Sequence, residues 1–250
     1  QDPVGEPSGV TWSPDSKSVL YVTKKKVGKD YALSTNTDIY QYDLESKQTK
    51  NLTEGLMVYD NHPAFNKEGK RLAWLSMKTD GYEADKNDII IQDMFSGQKL
   101  NLTSHWDETV NAFTWSKDGK KIYFVAPSKG TVQLFAVDVP TNLNVRSIPI
   151  VQQLSEGQFD ISSIVGETKE GLVVTSTKMT QAAEIYVFNL KSKKLSPITT
   201  VNDAKYAQFK ETKVEGRFTK ASDGADLFSW VIYPPDFDPN KKYPTLLFCQ

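Results

Sequence analysis

The sequence predicts a mainly β protein assembled from a repeated four-stranded unit, and three recurring features predict it. The first is a turn set between apolar strands. Trp12-Ser13-Pro14-Asp15-Ser16-Lys17 precedes Val19-Leu20-Tyr21-Val22, Phe65-Asn66-Lys67-Glu68-Gly69-Lys70 precedes Leu72-Ala73-Trp74-Leu75, and Trp115-Ser116-Lys117-Asp118-Gly119-Lys120 precedes Ile122-Tyr123-Phe124-Val125. A turn of Asp-Gly type between aromatic and β-branched runs is a hairpin signal. The second is an alternating strand that closes on Asp or Asn: Ile39 to Asp43, Ile89 to Asp93, Leu134 to Asp138 and Ile185 to Asn189. Such a residue bonds the backbone after it and starts a turn. The third is a short strand ending Asn51-Leu52-Thr53, Asn101-Leu102-Thr103, Gln153-Leu154-Ser155 and Pro197-Ile198-Thr199. The step is about 50 residues, the spacing of β-propeller blades, and a blade buries both of its faces only when neighbours stack on it.

Taken in order, residues 1–9 carry two prolines and two glycines and read as a linker. Residues 10–204 read as four blades of WD40-like repeats. The fourth lacks the tryptophan and keeps Glu167 to Gly171 as its turn. Four blades sit at the low end of the range for propellers. Further blades upstream of Gln1 are therefore expected, with a closed four-bladed ring as the alternative. In an antiparallel blade the turns after the first and third strands share one face. The opposite face then holds the insertions Lys24 to Thr37 and Lys78 to Asp88 and the blade connections Glu54 to His62, Ser104 to Val110 and Ser155 to Phe159. The chain leaves the last blade on that side, so the segment after the blades is expected over loops rich in Asp60, Asp80, Glu83, Asp85, Asp107 and Glu108. From about Lys205 the pattern changes, and residues 205–250 read as two or three strands opening a new domain, including a buried strand from Thr245 to Cys249.

Composition excludes several function classes. Among 250 residues, 30 basic and 31 acidic side chains leave a net charge of −1, which gives nucleic acid no electrostatic footprint. Lys24-Lys25-Lys26 reads as a solvated loop. No run approaches the length of a membrane span. The single cysteine, Cys249, forbids an internal disulfide. Because the chain starts at Gln1, an upstream segment removed by processing is expected. Asp80, Glu83, Asp85 and Asp88 lack the spacing of a calcium loop, so no metal or other cofactor is expected. Asn51-Leu52-Thr53 and Asn101-Leu102-Thr103 match a glycosylation triplet but recur as strand ends. Trp12, Trp74 and Trp115 read as inter-blade core, and His62 and His105 as residues of blade-to-blade loops.

Asp223-Gly224, then Leu227 and Trp230, then Pro234 to Phe237 and Lys241 to Pro244 ahead of an apolar strand, resemble the start of the α/β-hydrolase domain in the prolyl-oligopeptidase family of serine peptidases. That family also places a propeller with Ser-Pro-Asp-Gly-Lys type turns before its hydrolase domain, so the resemblance covers nearly the whole chain. Leu33 to Tyr40, Asp80-Gly81-Tyr82-Glu83 and Lys241 through Gln250 are similar to its bacterial dipeptidyl-peptidase subgroup, although Cys249-Gln250 stands where most of the family has a histidine. The resemblance implies a serine-histidine-aspartate triad beyond residue 250, an inactive fragment here, a periplasmic or secreted home, compatibility with a homodimer, and a ring that gates and orients short peptides. The competing expectation is a TolB-like propeller that binds a protein or peptide partner without chemistry.

A dipeptidyl peptidase must capture a free α-amine, and a partly dehydrated carboxylate does so by charge-assisted hydrogen bonds. By face and charge, the candidates for the amine are Glu83, Asp85, Asp107 and Glu108, with Tyr59 and Trp106 as walls for substrate side chains.

Overall fold

The computed structural model describes residues 9–55, 58–145 and 149–248. All but Gly9 of the expected linker, and Cys249, lie outside them. Four antiparallel four-stranded sheets succeed one another, each wound in simple sequence order. Blade 1 comprises β1 (Val10–Trp12), β2 (Ser18–Thr23), β3 (Asp38–Asp43) and β4 (Thr49–Asn51), with a one-turn helix α1 (Lys29–Leu33) between β2 and β3. Blade 2 comprises β5 (Tyr59–Phe65), β6 (Arg71–Met77), β7 (Asn87–Asp93) and β8 (Lys99–Asn101). Blade 3 comprises β9 (Ala112–Trp115), β10 (Lys121–Ser128), β11 (Thr131–Asp138) and β12 (Gln152–Gln153). Blade 4 comprises β13 (Asp160–Glu167), β14 (Leu172–Lys178), β15 (Gln181–Phe188) and β16 (Leu195–Pro197). A short helix α2 (Asp203–Tyr206) and a separate hairpin of β17 (Val214–Lys220) and β18 (Asp226–Ile232) complete the chain.

Each recurring feature of the sequence has a structural cause. At the first turn, Ser13 Oγ accepts the Ser18 amide at 2.9 Å and donates to Asp15 at 2.6 Å. Ser116 repeats both bonds, with the Lys121 amide at 2.9 Å and Asp118 at 2.7 Å. The turn also needs one left-handed residue, which is Ser16 (φ 59°) in blade 1 but Gly69 (φ 70°) and Gly119 (φ 67°) in blades 2 and 3. At the third turn, Asp43, Asp93 and Asn189 accept the amides of Ser46, Ser96 and Ser192 at 2.7, 2.8 and 2.9 Å. Asp138 departs from the expected turn role, because a longer connection comes after it and its carboxylate pairs with Lys121.

The hydroxyl closing each blade clasps the middle of the sheet. Thr53, Thr103, Ser155 and Thr199 accept the amides of Ile39, Ile89, Leu134 and Ile185 at 3.1, 3.0, 2.9 and 2.9 Å. The same hydroxyls donate to Asp38, Asp88, Gln133 and Glu184, the residues just before those amides. Each Asn-Leu-Thr end is therefore a structural clasp.

Alternation along the second strands builds the seams. Leu72 and Trp74 of β6 face blade 1, packing with Leu20, Ile39 and Leu52, whereas Ala73 and Leu75 face blade 3. On β10, Ile122, Phe124 and Ala126 face blade 2, while Tyr123 and Val125 face blade 4 with Ile161, Leu172, Val174 and Phe188. Each blade packs on the next, and no such packing joins blade 4 to blade 1 among the described residues. The blades thus form an open arc of a propeller, which excludes the closed four-bladed ring for this segment.

Several expectations are corrected. Trp74 is buried and Trp115 half-buried with its indole N–H on the Ala64 carbonyl at 3.0 Å. Trp12, by contrast, is 58% exposed, because no described blade stacks on that side of β1. His62 is not in a loop: it sits within β5 at a bulge between Asn61 and Ala64, with φ 52°. The strand expected from Thr245 is absent among the described residues and Leu246 is 99% exposed, since no neighbouring strand is there to pair with it.

Candidate functional site

One face of the arc, here called the upper face, carries the loops after the second strand of each blade. In blade 3 that loop is the tight pair Lys129 (φ 48°) and Gly130 (φ 74°), and in blade 4 it is Met179 and Thr180. Blades 1 and 2 instead carry the long insertions 24–37 and 78–86. The hairpin β17–β18 docks where the loops are short. Trp230 Nε1 donates to the Gly130 carbonyl at 2.9 Å, and a Cβ on Gly130 would lie 2.2 Å from a Phe228 ring carbon. The segment after the blades therefore lies on the expected face, but over blades 3 and 4 rather than over the acidic loops of blades 1 and 2.

The two long insertions are fastened to each other by one carboxylate. Asp80 accepts Ser34 Oγ at 2.7 Å, the Thr35 amide at 2.8 Å and the Asn36 amide at 3.1 Å. Burial pushes Asp80 up, but the bonds from Ser34, Thr35 and Asn36 and the nearby Lys26 outweigh it and hold the carboxyl below its ordinary value. Gly81 returns a bond from its amide to Thr35 Oγ1 at 2.9 Å. Lys24, expected to be solvated, is buried, and its ammonium donates to the carbonyls of Tyr31 and Ser34. That ammonium also lies 4.4 Å from the centre of the Tyr31 ring, which folds α1 back over the strand end.

These bonds leave a cleft of about 610 Å³ between the insertions. Tyr31, Leu33 and Tyr59 form its walls, together with Met77, Thr35 and Glu83. The structure thus brings together two of the expected site residues, Glu83 as an exposed carboxylate and Tyr59 as a half-buried ring. It separates the others. Asp85 accepts the backbone amides of Lys78 and Thr79 at 3.1 and 2.8 Å and staples its own loop. Burial pushes Asp85 up, but bonds from Thr79, Lys86 and Lys78 bring it below the usual carboxylate range. Trp106 does not line the cleft; it is half-buried against the core, its ring meeting Phe124 and Phe135 at centroid distances of 5.3 and 5.1 Å. Asp107 and Glu108 are exposed on the connection between blades 2 and 3 and do not line the cleft.

Sequence reasoning missed Tyr31, Leu33 and Met77 as cleft residues. The available signal was the length of the first insertion and its Tyr-Ala-Leu run within the one-turn helix. Among the described residues no group of three His, Cys, Asp or Glu side chains is placed to hold a metal, and no helix is long and apolar enough to cross a membrane.

No protein-family model matches the chain. It is 34% identical over 240 residues to dipeptidyl-peptidase 5 of Porphyromonas gingivalis, covering 96% of this chain and 34% of that protein. It is 36% identical over 250 residues to dipeptidyl-peptidase 5 of Porphyromonas endodontalis, covering 99% of this chain and 35% of that protein. The chain therefore spans about a third of the length of these relatives. Among solved structures, oligopeptidase B from Leishmania major shares the fold at a TM-score of 0.62 and 11% identity, over 96% of this chain and 34% of that one. Along nearly its whole length the chain is therefore similar to proteins of dipeptidyl-peptidase 5 type, the subgroup its sequence resembles, and it shares its fold with oligopeptidase B.

Proposed function

We propose that this chain is the propeller part of a serine-type dipeptidyl peptidase, exported to the periplasm or beyond, and that it orients short peptides with a free amino terminus. Identity to two dipeptidyl-peptidase 5 proteins along nearly the whole chain carries the proposal. On this reading β17–β18 opens the hydrolase domain, whose triad supplies the nucleophile, the base and the carboxylate that orients it, and whose backbone amides hold the oxyanion. The 250 residues alone are then inactive, because cleavage needs groups they do not contain. A homodimer is compatible with this role.

The cleft between blades 1 and 2 supplies the chemistry this chain can offer. Glu83 at its rim pairs with a peptide ammonium, while Tyr31, Tyr59, Leu33 and Met77 take apolar side-chain surface. An ammonium leaving water for a carboxylate beside aromatic walls forms a charge-assisted bond, and a blocked amine leaves that carboxylate unpaired. In the full-length protein, Glu83→Gln is expected to raise KM for a free-amine dipeptide substrate by about 10-fold with kcat nearly unchanged, as loss of a charged hydrogen bond implies. An unchanged KM removes Glu83 from the site, and a full-length protein that hydrolyses no dipeptide substrate removes the peptidase assignment.

A further inference from the structure

Asp60 is an ionisable group that peptide capture does not use. It lies on β5 at the seam between blades 1 and 2 and is 1% exposed. Its Oδ1 accepts the Trp74 indole N–H at 2.8 Å, whereas its Oδ2 is enclosed and has no hydrogen-bond partner among the described residues. A half-paired carboxylate deprived of water is costly. The neutral acid in the same place carries no charge to desolvate and has an O–H to donate.

Its neighbours are few in kind. β6 supplies Trp74 and Ser76, and the residue two beyond β4 is Thr53, whose hydroxyl also bonds Asp38 at the start of β3. Lys99, at the start of β8, directs its ammonium to the Leu52 carbonyl at 3.1 Å and lies 5.4 Å from the centre of the Trp74 ring. Of the other packed strands, β1 and β9 carry no ionisable side chain and β2 carries Tyr21. Beyond Asp38, β3 carries Tyr40, Tyr42 and Asp43, and β5 itself adds Tyr59 and His62. Burial pushes Asp60 up to about 6, against the pull of Ser76, Trp74 and Thr53 and of the Lys99 ammonium.

The backbone of the same residue fastens the seam. The Asp60 carbonyl accepts Thr37 Oγ1 at 2.6 Å, its amide reaches the Thr37 carbonyl at 3.4 Å, and Tyr59 forms an isolated parallel bridge with Thr37. Thr37 ends the insertion that carries Tyr31, Leu33 and Thr35, the cleft wall contributed by blade 1. Asp60 is thereby tied through Thr37 to the cleft wall.

We infer that Asp60 is a proton-operated latch on the seam between blades 1 and 2: protonated, it closes the seam beneath the cleft, and ionised, it slackens it. The seam is firm in mildly acidic medium and looser above neutrality, whatever ligand enters the cleft.

The test uses the full-length protein labelled with 5-fluorotryptophan, with Trp74→Phe used to assign the Trp74 fluorine resonance. That resonance is expected to titrate with a midpoint near 6 in the wild type. It is expected to stay fixed in Asp60→Asn, which keeps a neutral donor and acceptor at the position. A resonance that does not move between about pH 4.5 and 7.5, or moves identically in Asp60→Asn, overturns the inference. Hydrogen exchange on the wild type alone gives an independent readout should either variant fail to fold. Protection of β3 and β5, corrected for intrinsic rates, should fall at least about tenfold from pH 5 to 7.5 while β10 and β11 hold theirs. Equal protection of β3 and β5 at both pH values overturns it.

Discussion

Blades 2 and 3 meet across an apolar seam, whereas blades 1 and 2 meet across one that mixes apolar and polar side chains. Among the described residues the first buries thirteen apolar side chains, including the stacked Phe124 and Phe135 at 5.6 Å. The second buries five among the described residues, and beside them it encloses Asn36, Thr37, Asp60 and Asn61. Apolar contact is non-directional and tolerates no water, so it makes a stiff joint; polar groups in a seam hold only while every bond is made. The long insertions and the cleft stand over the second seam. The seam under the candidate site is accordingly expected to open more readily than the middle of the arc, as regions of low local stability in proteins often carry binding.

Truncation of the apolar seam should have the largest effect. Phe124→Ala is expected to cost about 3–5 kcal/mol in denaturant unfolding, and Leu20→Ala in the mixed seam about 2–3 kcal/mol, because the second site has fewer apolar neighbours to lose. Equal losses would erase the contrast between the seams.

The next effect is a pH dependence confined to the mixed seam. The folded-state value of Asp60, raised from 3.8 to about 6, lies above its unfolded value. Its contribution is therefore fully present below the unfolded value and is lost as pH rises through the folded one. Over that window the loss is up to about 3 kcal/mol, and Asp60→Asn should flatten the curve of unfolding free energy against pH. Asp80 and Asp85 act in the opposite sense. Their values are lowered, so their contributions are present above the unfolded value and are lost as pH falls through the folded one, at the acid end of the same titration.

The smallest effect sharpens the comparison from the clasp side. Thr103 Oγ1 takes the Ile89 amide and gives to Asp88, so Thr103→Ala strands a buried amide. The expected cost is about 1–3 kcal/mol, measured by thermal or denaturant unfolding. A cost below a few tenths would mean that the clasp does not hold blade 2.

How much of this was legible in the sequence depends on the range of the interactions. The turns at Ser13 to Lys17 and Ser116 to Lys120, and the Asp43, Asp93 and Asn189 caps, are made within a few residues, so a repeat in sequence is a repeat in structure. The fourth blade was readable without its tryptophan for the same reason. Glu83 and Tyr59 were legible as a carboxylate and a ring on one face, but nothing local distinguishes Glu83 from Asp85. The distinction arises when the Lys78 and Thr79 amides close on Asp85 and leave Glu83 at the rim.

The strand count of each blade, the order of the strands, the turn chemistry and the face that bears the insertions all rest on contacts between near neighbours, and the amino-acid order alone encodes them. Only the packed fold settles that Trp106 packs on the core, that Lys24 is buried, that the β17–β18 hairpin rests on blades 3 and 4, and that Asp80 welds two insertions into a cleft. Those outcomes depend on groups from different strands, loops or blades arriving at one place. Whether a charged or aromatic side chain meets a partner or water there is set by the packing of the blades, which no single stretch of the chain encodes.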